Sequence, residues 1–365
     1  MKTGIVTFHR ADNYGAVLQC YALYSVLNKM DCDVEVLDYR NPSIENRYCV
    51  IPRICKNLAK WIWLLLKTCP YYSQRKKRHQ RFERFREKIK MSSPYYEKDL
   101  KLNGADYGLI ISGSDQVLNP NITDGFDDIY YLDFNGSFRK TTYAASLGNI
   151  NDPKLQSDEF IRRITNFDYV SVRENDAYAF LLSQHGISAE KSLDPTFLID
   201  ESQWRELVKN TSVDVPERYI FLYFVQYNSE LVKIAQTISK ERKIPVVYFK
   251  PKIKLDCESV FCGDAGPMEF VKLILDADSI VTSSFHATAF SSIFKKKDIH
   301  IIAHSQTGSR VASIAEMFGF QDRIYTDFEK FIKVYKNQPD IEYRTDEYLS
   351  QRQASLNYLK LILTE

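Results

Sequence analysis

An α/β protein of two Rossmann-like domains with parallel sheets is predicted by three features of the sequence. Short apolar runs recur with enough residues between them for a helical crossover, the polar turn after a run opens into a helical pattern, and the series restarts after Leu193-Asp194-Pro195-Thr196. Antiparallel neighbours need only a tight turn, whereas parallel neighbours need a crossover of a dozen or more residues, so the spacing favours parallel sheets. With 365 residues, 44% hydrophobic and 26% charged, the chain has the length of about two ordinary domains and is too apolar for a disordered one.

The elements follow in order. Residues 4–8 are an apolar run, 9–15 a polar turn, 16–29 a helical pattern and 34–37 a second run, which together make a βαβ opening. Further strands are expected at 107–112, 141–145 and 169–172, completing a first domain over residues 1–198. The second, over 199–343, reads as strand 219–225, helix 229–240, strand 245–249, helix 267–275, strand 279–282, a helix from about His286, and strand 300–302. No strand follows the pattern at 345–363, so the segment 344–365 is expected to pack back on the first domain. A cleft between the two halves is expected to hold the ligands.

Forty-nine Lys plus Arg against 47 Asp plus Glu leave a net charge of +2, which gives no overall field for a nucleic-acid partner. Seven cysteines without a Cys-x-x-Cys pair suggest neither a zinc cage nor a disulfide framework, and reduced thiols fit a cytoplasmic protein. His9 and Arg10 come too early for a signal peptide, and no run reaches the roughly 18 apolar residues of a membrane span. The segment 53–90 departs from the average, with 13 Lys or Arg against Glu83 and Glu87. It also holds the apolar block 58–67 with Trp61 and Trp63. Two readings stand: a basic amphipathic helix at an anionic membrane surface, or a helical insertion covering the sheet.

Open α/β sheets bind ligands beyond the carboxyl ends of their strands, where helix N-termini present free amides. Four turns qualify. In His9-Arg10-Ala11-Asp12-Asn13-Tyr14-Gly15, Gly15 permits close backbone approach, and the same residues suit an N-cap and tight turn. In Gly113-Ser114-Asp115-Gln116, Asp115 is placed to bind a sugar hydroxyl, to act as a base, or to cap a helix. Arg173 ends a strand, and its guanidinium suits a carboxylate or phosphate, or a surface pair with Glu174 or Asp176. In Ser283-Ser284-Phe285-His286, hydroxyls, amides and an imidazole are set to converge on one anion, unless Ser283 or Ser284 is an N-cap and His286 a core residue. No Gly-x-Gly-x-x-Gly, Walker or His-Glu-x-x-His motif occurs, Asp31-Cys32-Asp33 and Asp276-Ala277-Asp278 read as turns, and no metal is assigned. The loops 121–134 and 251–262 are candidates for the acceptor side, with Asp127 and Asp128 as exposed hydroxyl acceptors or as parts of ordinary solvated loops.

Taken in order, these turns resemble the polysaccharide pyruvyl transferase family. The resemblance rests on Asn13-Tyr14-Gly15-Ala16-Val17-Leu18-Gln19, Gly113-Ser114-Asp115-Gln116, Tyr143-Ala144-Ala145-Ser146-Leu147-Gly148, Ser171-Val172-Arg173-Glu174, Leu193-Asp194-Pro195-Thr196 and Ser284-Phe285-His286-Ala287-Thr288. The chain departs from the family pattern at Leu118, where Trp is usual, and at Ala287, where Gly is usual. The resemblance implies a two-domain fold of the GT-B glycosyltransferase type. It also implies transfer of the pyruvyl group of phosphoenolpyruvate to two sugar hydroxyls as a cyclic ketal, with phosphate released and no metal or cofactor beyond that co-substrate.

Arg173 and His286 are then donor-site residues, joined by Ser283 and Ser284. His286 is expected as proton donor or phosphate clamp and Asp115 or Asp12 as the base, with Asn13, Tyr14, Gly15, Ser114 and Asp115 on the acceptor side. The expected acceptor is a sugar or lipid-linked oligosaccharide, with galactose in a capsular or exopolysaccharide precursor foremost. Peripheral contact with the inner face of the membrane through 53–90 would suit it. A glycosyltransferase using a nucleotide sugar and a non-catalytic glycan-binding protein are the rival readings.

Overall fold

Lys2–Val6 forms β1, where Gly4, Ile5 and Val6 are buried as the interior of a parallel sheet requires. The computed structural model describes residues 1–52, 57–96, 106–303 and 308–364. The chain divides into two compact units: Met1–Trp61, Glu83–Ile199 and Ser350–Glu365 in the first, Ile62–Phe82 and Asp200–Leu349 in the second.

In the first unit β1 leads into α1 (Tyr14–Lys29), capped by the Asn13 side chain, and then β2 (Asp33–Val36), β3 (Tyr39–Arg40) and α2 (Pro42–Tyr48). The chain continues through α3 (Leu58–Thr68) and α4 (Tyr72–Arg86) to β4 (Tyr95–Tyr96), which pairs with β3. β5 (Leu109–Ser112) and β6 (Arg139–Thr142) complete a four-stranded parallel sheet in the order β2-β1-β5-β6. After α5 (Asp158–Ile164), β7 (Ser171–Val172) is bridged to the stretch beyond β6 through Ala145 and Val172. α6 (Asn175–His185) ends on Gly186 at φ 63, and β8 (Glu190–Lys191) pairs with β7. Because β2 lies on one side of β1 and β5 on the other, the strand order reverses between β1 and β5.

The second unit runs α7 (Glu201–Val208), β9 (Ile220–Tyr223), α8 (Ser229–Arg242), β10 (Val246–Tyr248), β11 (Ser259–Phe261), α9 (Pro267–Asp276), β12 (Ser279–Thr282), α10 (Phe285–Ile293), β13 (Ile299–Ile302), α11 (Gly308–Phe318), β14 (Ile324–Tyr325) and α12 (Phe328–Val334). Its six strands are parallel, in the order β11-β10-β9-β12-β13-β14, so this sheet reverses between β9 and β12. The last helix, α13 (Asp346–Thr364), groups with the first unit from Ser350 onward. There its Tyr358 hydroxyl donates to the Thr142 carbonyl at 2.9 Å and its Ser355 hydroxyl accepts from the Leu193 amide at 2.9 Å.

Local expectations change, and the two-residue strands β3, β4 and β8 were not expected. β11 lies inside the stretch 251–262 expected as a loop, and β14 was not expected. At three and two residues both are too short to show a periodicity. The strand expected at 141–145 stops at Thr142, because Ala144 takes a left-handed φ of 47°.

Of the basic segment, residues 53–56 lie outside the described residues. The remainder is α3 and α4, of which Ile62–Phe82 groups with the second unit rather than with the first. α4 buries Phe82 and Phe85 fully, whereas α3 buries nothing. Leu58, Ile62 and Leu66, one turn apart along α3, form an exposed apolar stripe with Trp63 beside it. Among the described residues no helix is long and apolar enough to cross a membrane.

Candidate functional site

The turn after β1 is built around a buried carboxylate. Asp38 takes Arg10 in a two-pronged pair, with Nε at 2.6 Å and Nη2 at 2.5 Å, and Arg40 Nε at 3.0 Å. His9 places Nε2 2.9 Å from the same carboxylate and Nδ1 3.0 Å from the Thr7 carbonyl. Burial opposes the charge on Asp38, but the hydrogen bonds from His9 and Arg10 hold it well below the usual carboxylate range. Arg86, near the end of α4, closes the turn by donating to the carbonyls of His9 (2.8 Å) and Ala11 (3.0 Å) and to Asp12 Oδ1 at 2.7 Å. Asp12 is thus a buried, ion-paired part of the turn rather than an open carboxylate. Asn13 caps α1, and Tyr14 and Gly15 are buried in its first turn.

Across the strand reversal lies the turn after β5. Gln19 on α1 donates to the Thr7 hydroxyl at 2.8 Å, and Thr7 donates to the Ser114 carbonyl at 2.9 Å, so helix, strand and turn are joined through buried polar groups. Asp115 holds φ at +80°, a left-handed conformation that costs a non-glycine residue about 1–3 kcal/mol. Its side chain accepts from the Gln116 amide at 2.8 Å and its carbonyl from the Ser146 amide at 2.9 Å. Next to it, Ala144 is left-handed as well, and Gly148 at φ 77 leaves room for Asn119, whose Nδ2 would lie 2.2 Å from an added Cβ. Strain of this kind, gathered at strand ends, accompanies functional sites. Asp115 is partly exposed and Ser114 buried.

Arg173 joins this group from the end of β7. The sequence suggested a guanidinium open to a cleft; instead its side chain is 4% exposed and already paired. Nη1 donates to Asp194 Oδ2 at 2.7 Å and Nε to Glu174 Oε1 at 3.1 Å. Asp194 also accepts from the Thr196 amide (3.0 Å) and hydroxyl (2.7 Å), and from the Ser114 hydroxyl at 3.4 Å. Burial works against the Arg173 charge, but Glu174, Asp194 and Asp115 together hold its pKa above the ordinary arginine value. Arg173, Ser114 and Asp115 are therefore one electrostatic unit with Asp194 at its centre.

The remaining candidates lie in the second unit, at its own reversal. The Thr282 hydroxyl donates to the Tyr223 carbonyl at 2.6 Å, tying the ends of β12 and β9, and accepts from the Ser284 amide at 3.0 Å. Ser284 caps α10, its hydroxyl accepting from the Ala287 amide at 3.4 Å. Ser283 is buried, and His286 is partly exposed in the first turn of α10 with its ring edge-on to Phe285 at 5.0 Å. Ala287 is fully buried under that turn. Helix amides, a capping hydroxyl and an imidazole at one helix head suit an anion or a proton transfer.

Asp127 is not the exposed acceptor expected. It receives hydrogen bonds from the Tyr39 hydroxyl (2.8 Å) and Asn41 (2.7 Å), and burial raises its pKa. Asp128 is exposed and pairs with Arg163. The positioning residues Gln19, Asp38, Arg86 and Asp194 were given no role from sequence. Gln19 and Asp194 stand in the motifs quoted above, whereas Asp38 and Arg86 carry no local signal.

Two parallel-sheet units, each with polar turns where its strand order reverses, define a GT-B-like protein of two Rossmann-like domains. The fold is similar to that of the UDP-GlcNAc 2-epimerase of Methanocaldococcus jannaschii, solved in complex with UDP-GlcNAc and UDP, at 13% identity over 100% of both chains with a TM-score of 0.52. It is similar likewise to the enzymes of Rickettsia bellii, at 15% over 100% of this chain and 96% of that one (TM-score 0.52), and Neisseria meningitidis, at 10% over 100% and 99% (TM-score 0.51). At these identities the likeness is one of fold alone. No curated protein matches the sequence significantly. The family model for polysaccharide pyruvyl transferase matches residues 13–305, and the chain belongs to that family.

Proposed function

We propose that this pyruvyl transferase takes its pyruvyl group from phosphoenolpyruvate and sets it on two hydroxyls of one sugar as a cyclic ketal, releasing phosphate. The observation that carries the reading is the head of α10, where Ser284 caps the helix and His286 remains partly exposed. Protonation of the donor methylene makes the neighbouring carbon electrophilic. One hydroxyl adds there, phosphate leaves, and the second hydroxyl closes the ring. Of the two hydroxyl protons released, one balances the methylene proton and the other leaves with phosphate. In this reading His286 delivers the methylene proton or clamps the phosphate, and Asp115, partly exposed where Asp12 is locked, receives a hydroxyl proton. Asp194 and Glu174 hold Arg173 rigid as the donor-site cation.

Galactose in a lipid-linked capsular or exopolysaccharide precursor is the acceptor we favour, and the exposed stripe of α3 supports a peripheral membrane position. Incubation with phosphoenolpyruvate and galactose-, glucose- and N-acetylmannosamine-terminated acceptors should release phosphate and add one pyruvyl ketal, detected by mass. His286→Ala should abolish both. Binding of a nucleoside diphosphate without any binding of phosphoenolpyruvate would overturn the donor assignment. For the membrane, sedimentation with phosphatidylglycerol vesicles at low salt should fall several-fold in Trp63→Ala; equal sedimentation of the two proteins would refute the α3 contact.

A further inference from the structure

Gln116 follows Asp115 in the turn beyond β5, on the carboxyl edge of the first sheet, and like Asp115 it is partly exposed. The direction of its carboxamide is fixed by hydrogen bonds that start from a backbone amide. The Asn121 N–H, which can only donate, gives its proton to Asn119 Oδ1 at 3.0 Å. Asn119 is buried, and its Nδ2, turned the other way, donates to Gln116 Oε1 at 2.7 Å. Gln116 therefore meets Asn119 with its oxygen, and its Nε2 carries two N–H donors away from that contact. Among the described residues Nε2 has no protein partner, and it is open to solvent.

The amide pair is seated on Gly148. A Cβ at that position, where φ is +77°, would lie 2.2 Å from Asn119 Nδ2 and 3.1 Å from Gln116 Oε1, so only bare backbone leaves the two amides their place. The Gly148 N–H donates to the Ser146 hydroxyl at 3.3 Å, and the Ser146 N–H to the Asp115 carbonyl at 2.9 Å, which stitches the turns after β5 and β6 into one frame. Asp115 is oriented by the same frame. Its Oδ1 accepts from the Gln116 amide at 2.8 Å, and its Oδ2 has no hydrogen-bond partner among the described residues. Two successive residues thus hold an acceptor and a donor by their inner ends and leave the outer ends to a ligand. Side chains fixed in this way lose little rotamer freedom on binding.

We propose that Gln116 is an acceptor-binding residue whose Nε2 donates to one hydroxyl of the sugar while Asp115 Oδ2 accepts from the other, so that the pair selects a diol. This rests on the pyruvyl-transfer reading above, in which two hydroxyls of one sugar form the ketal. The test measures kcat and both KM values for the wild-type chain, Gln116→Met and Gln116→Glu. In parallel, binding of the methyl glycosides of galactose, glucose and N-acetylmannosamine is titrated by saturation-transfer NMR. Glutamate keeps the oxygen that Asn119 needs and lacks the N–H donors, which separates a contact with ligand from a structural one. Both variants should raise the acceptor KM about tenfold with kcat, the phosphoenolpyruvate KM and thermal unfolding nearly unchanged, because a hydrogen bond made equally in ground and transition states acts on KM alone. A wild-type acceptor KM in Gln116→Glu overturns the proposal even if pyruvyl transfer is confirmed. If the wild-type chain transfers no pyruvyl group, a galactoside affinity about tenfold lower in both variants keeps the diol contact and removes the transfer reading. Equal affinity in the three proteins, or no binding of any glycoside, overturns the contact itself.

Discussion

Both units collect polar residues where their strand order reverses, but they treat charge differently. In the first, Asp12 is closed on Arg86, Asp38 on Arg10 and Arg40, and Arg173 between Asp194 and Glu174. In the second, the same edge carries a partly exposed imidazole in the first turn of α10, beside the capping hydroxyl of Ser284. The contrast separates shape from affinity. A buried ion needs partners to be tolerated, so a fully paired network fixes a turn, whereas a partly exposed side chain at a helix head is placed to meet a ligand.

The largest test of that contrast is Arg173→Ala, which leaves two buried carboxylates without their guanidinium and should cost about 3–5 kcal/mol. His286→Ala, at a partly exposed position, should change stability by less than about 1 kcal/mol. Urea unfolding of both variants checks this, and equal losses would break the contrast. Acid sharpens it further. Asp38 is depressed in the folded state, so its contribution is present above the unfolded value of about 3.9 and is lost as pH falls below it, at up to about 1.4 kcal/mol per pH unit. Asp298, depressed likewise beside His300 and Arg242 despite its burial, gives the second unit a dependence of the same sign. Asp38→Asn and Asp298→Asn should therefore flatten the acid limb alike, measured by unfolding between pH 5 and 2.5, which confines the difference between the units to their strand ends. A small effect of opposite sign on stability is expected at Asp115. Replacement by Gly relieves the left-handed φ and should raise stability by up to about 1 kcal/mol while transfer falls about 100-fold. Undiminished transfer would remove Asp115 from the chemistry.

The parallel sheets were legible because strands buried on both faces read as unbroken apolar runs, as Ile220–Tyr223 and Val246–Tyr248 do. β11 and β14 were not, since a strand of two or three residues is recognised by its neighbours and not by its own composition. At the candidate site, residue types were legible and partnerships were not. Arg173 reads the same whether it faces a cleft or Asp194, because that pair spans 21 positions, and Arg86 meets Asp12 across 74. The left-handed turn at Asp115 was hidden for another reason: conformation is announced by glycine, and the residue there is an aspartate.

The bare stripe of α3 also governs the protein as a colloid. Leu58, Ile62, Trp63 and Leu66 face water at 45–70% exposure, beside a segment rich in cations. In dilute buffer those charges keep copies apart. Near 0.1 M salt their reach shrinks to about 10 Å, and sulfate, excluded from protein surfaces, drives apolar patches together. Added sulfate thus weakens the repulsion and strengthens the attraction at once, so solubility should fall steadily with its concentration.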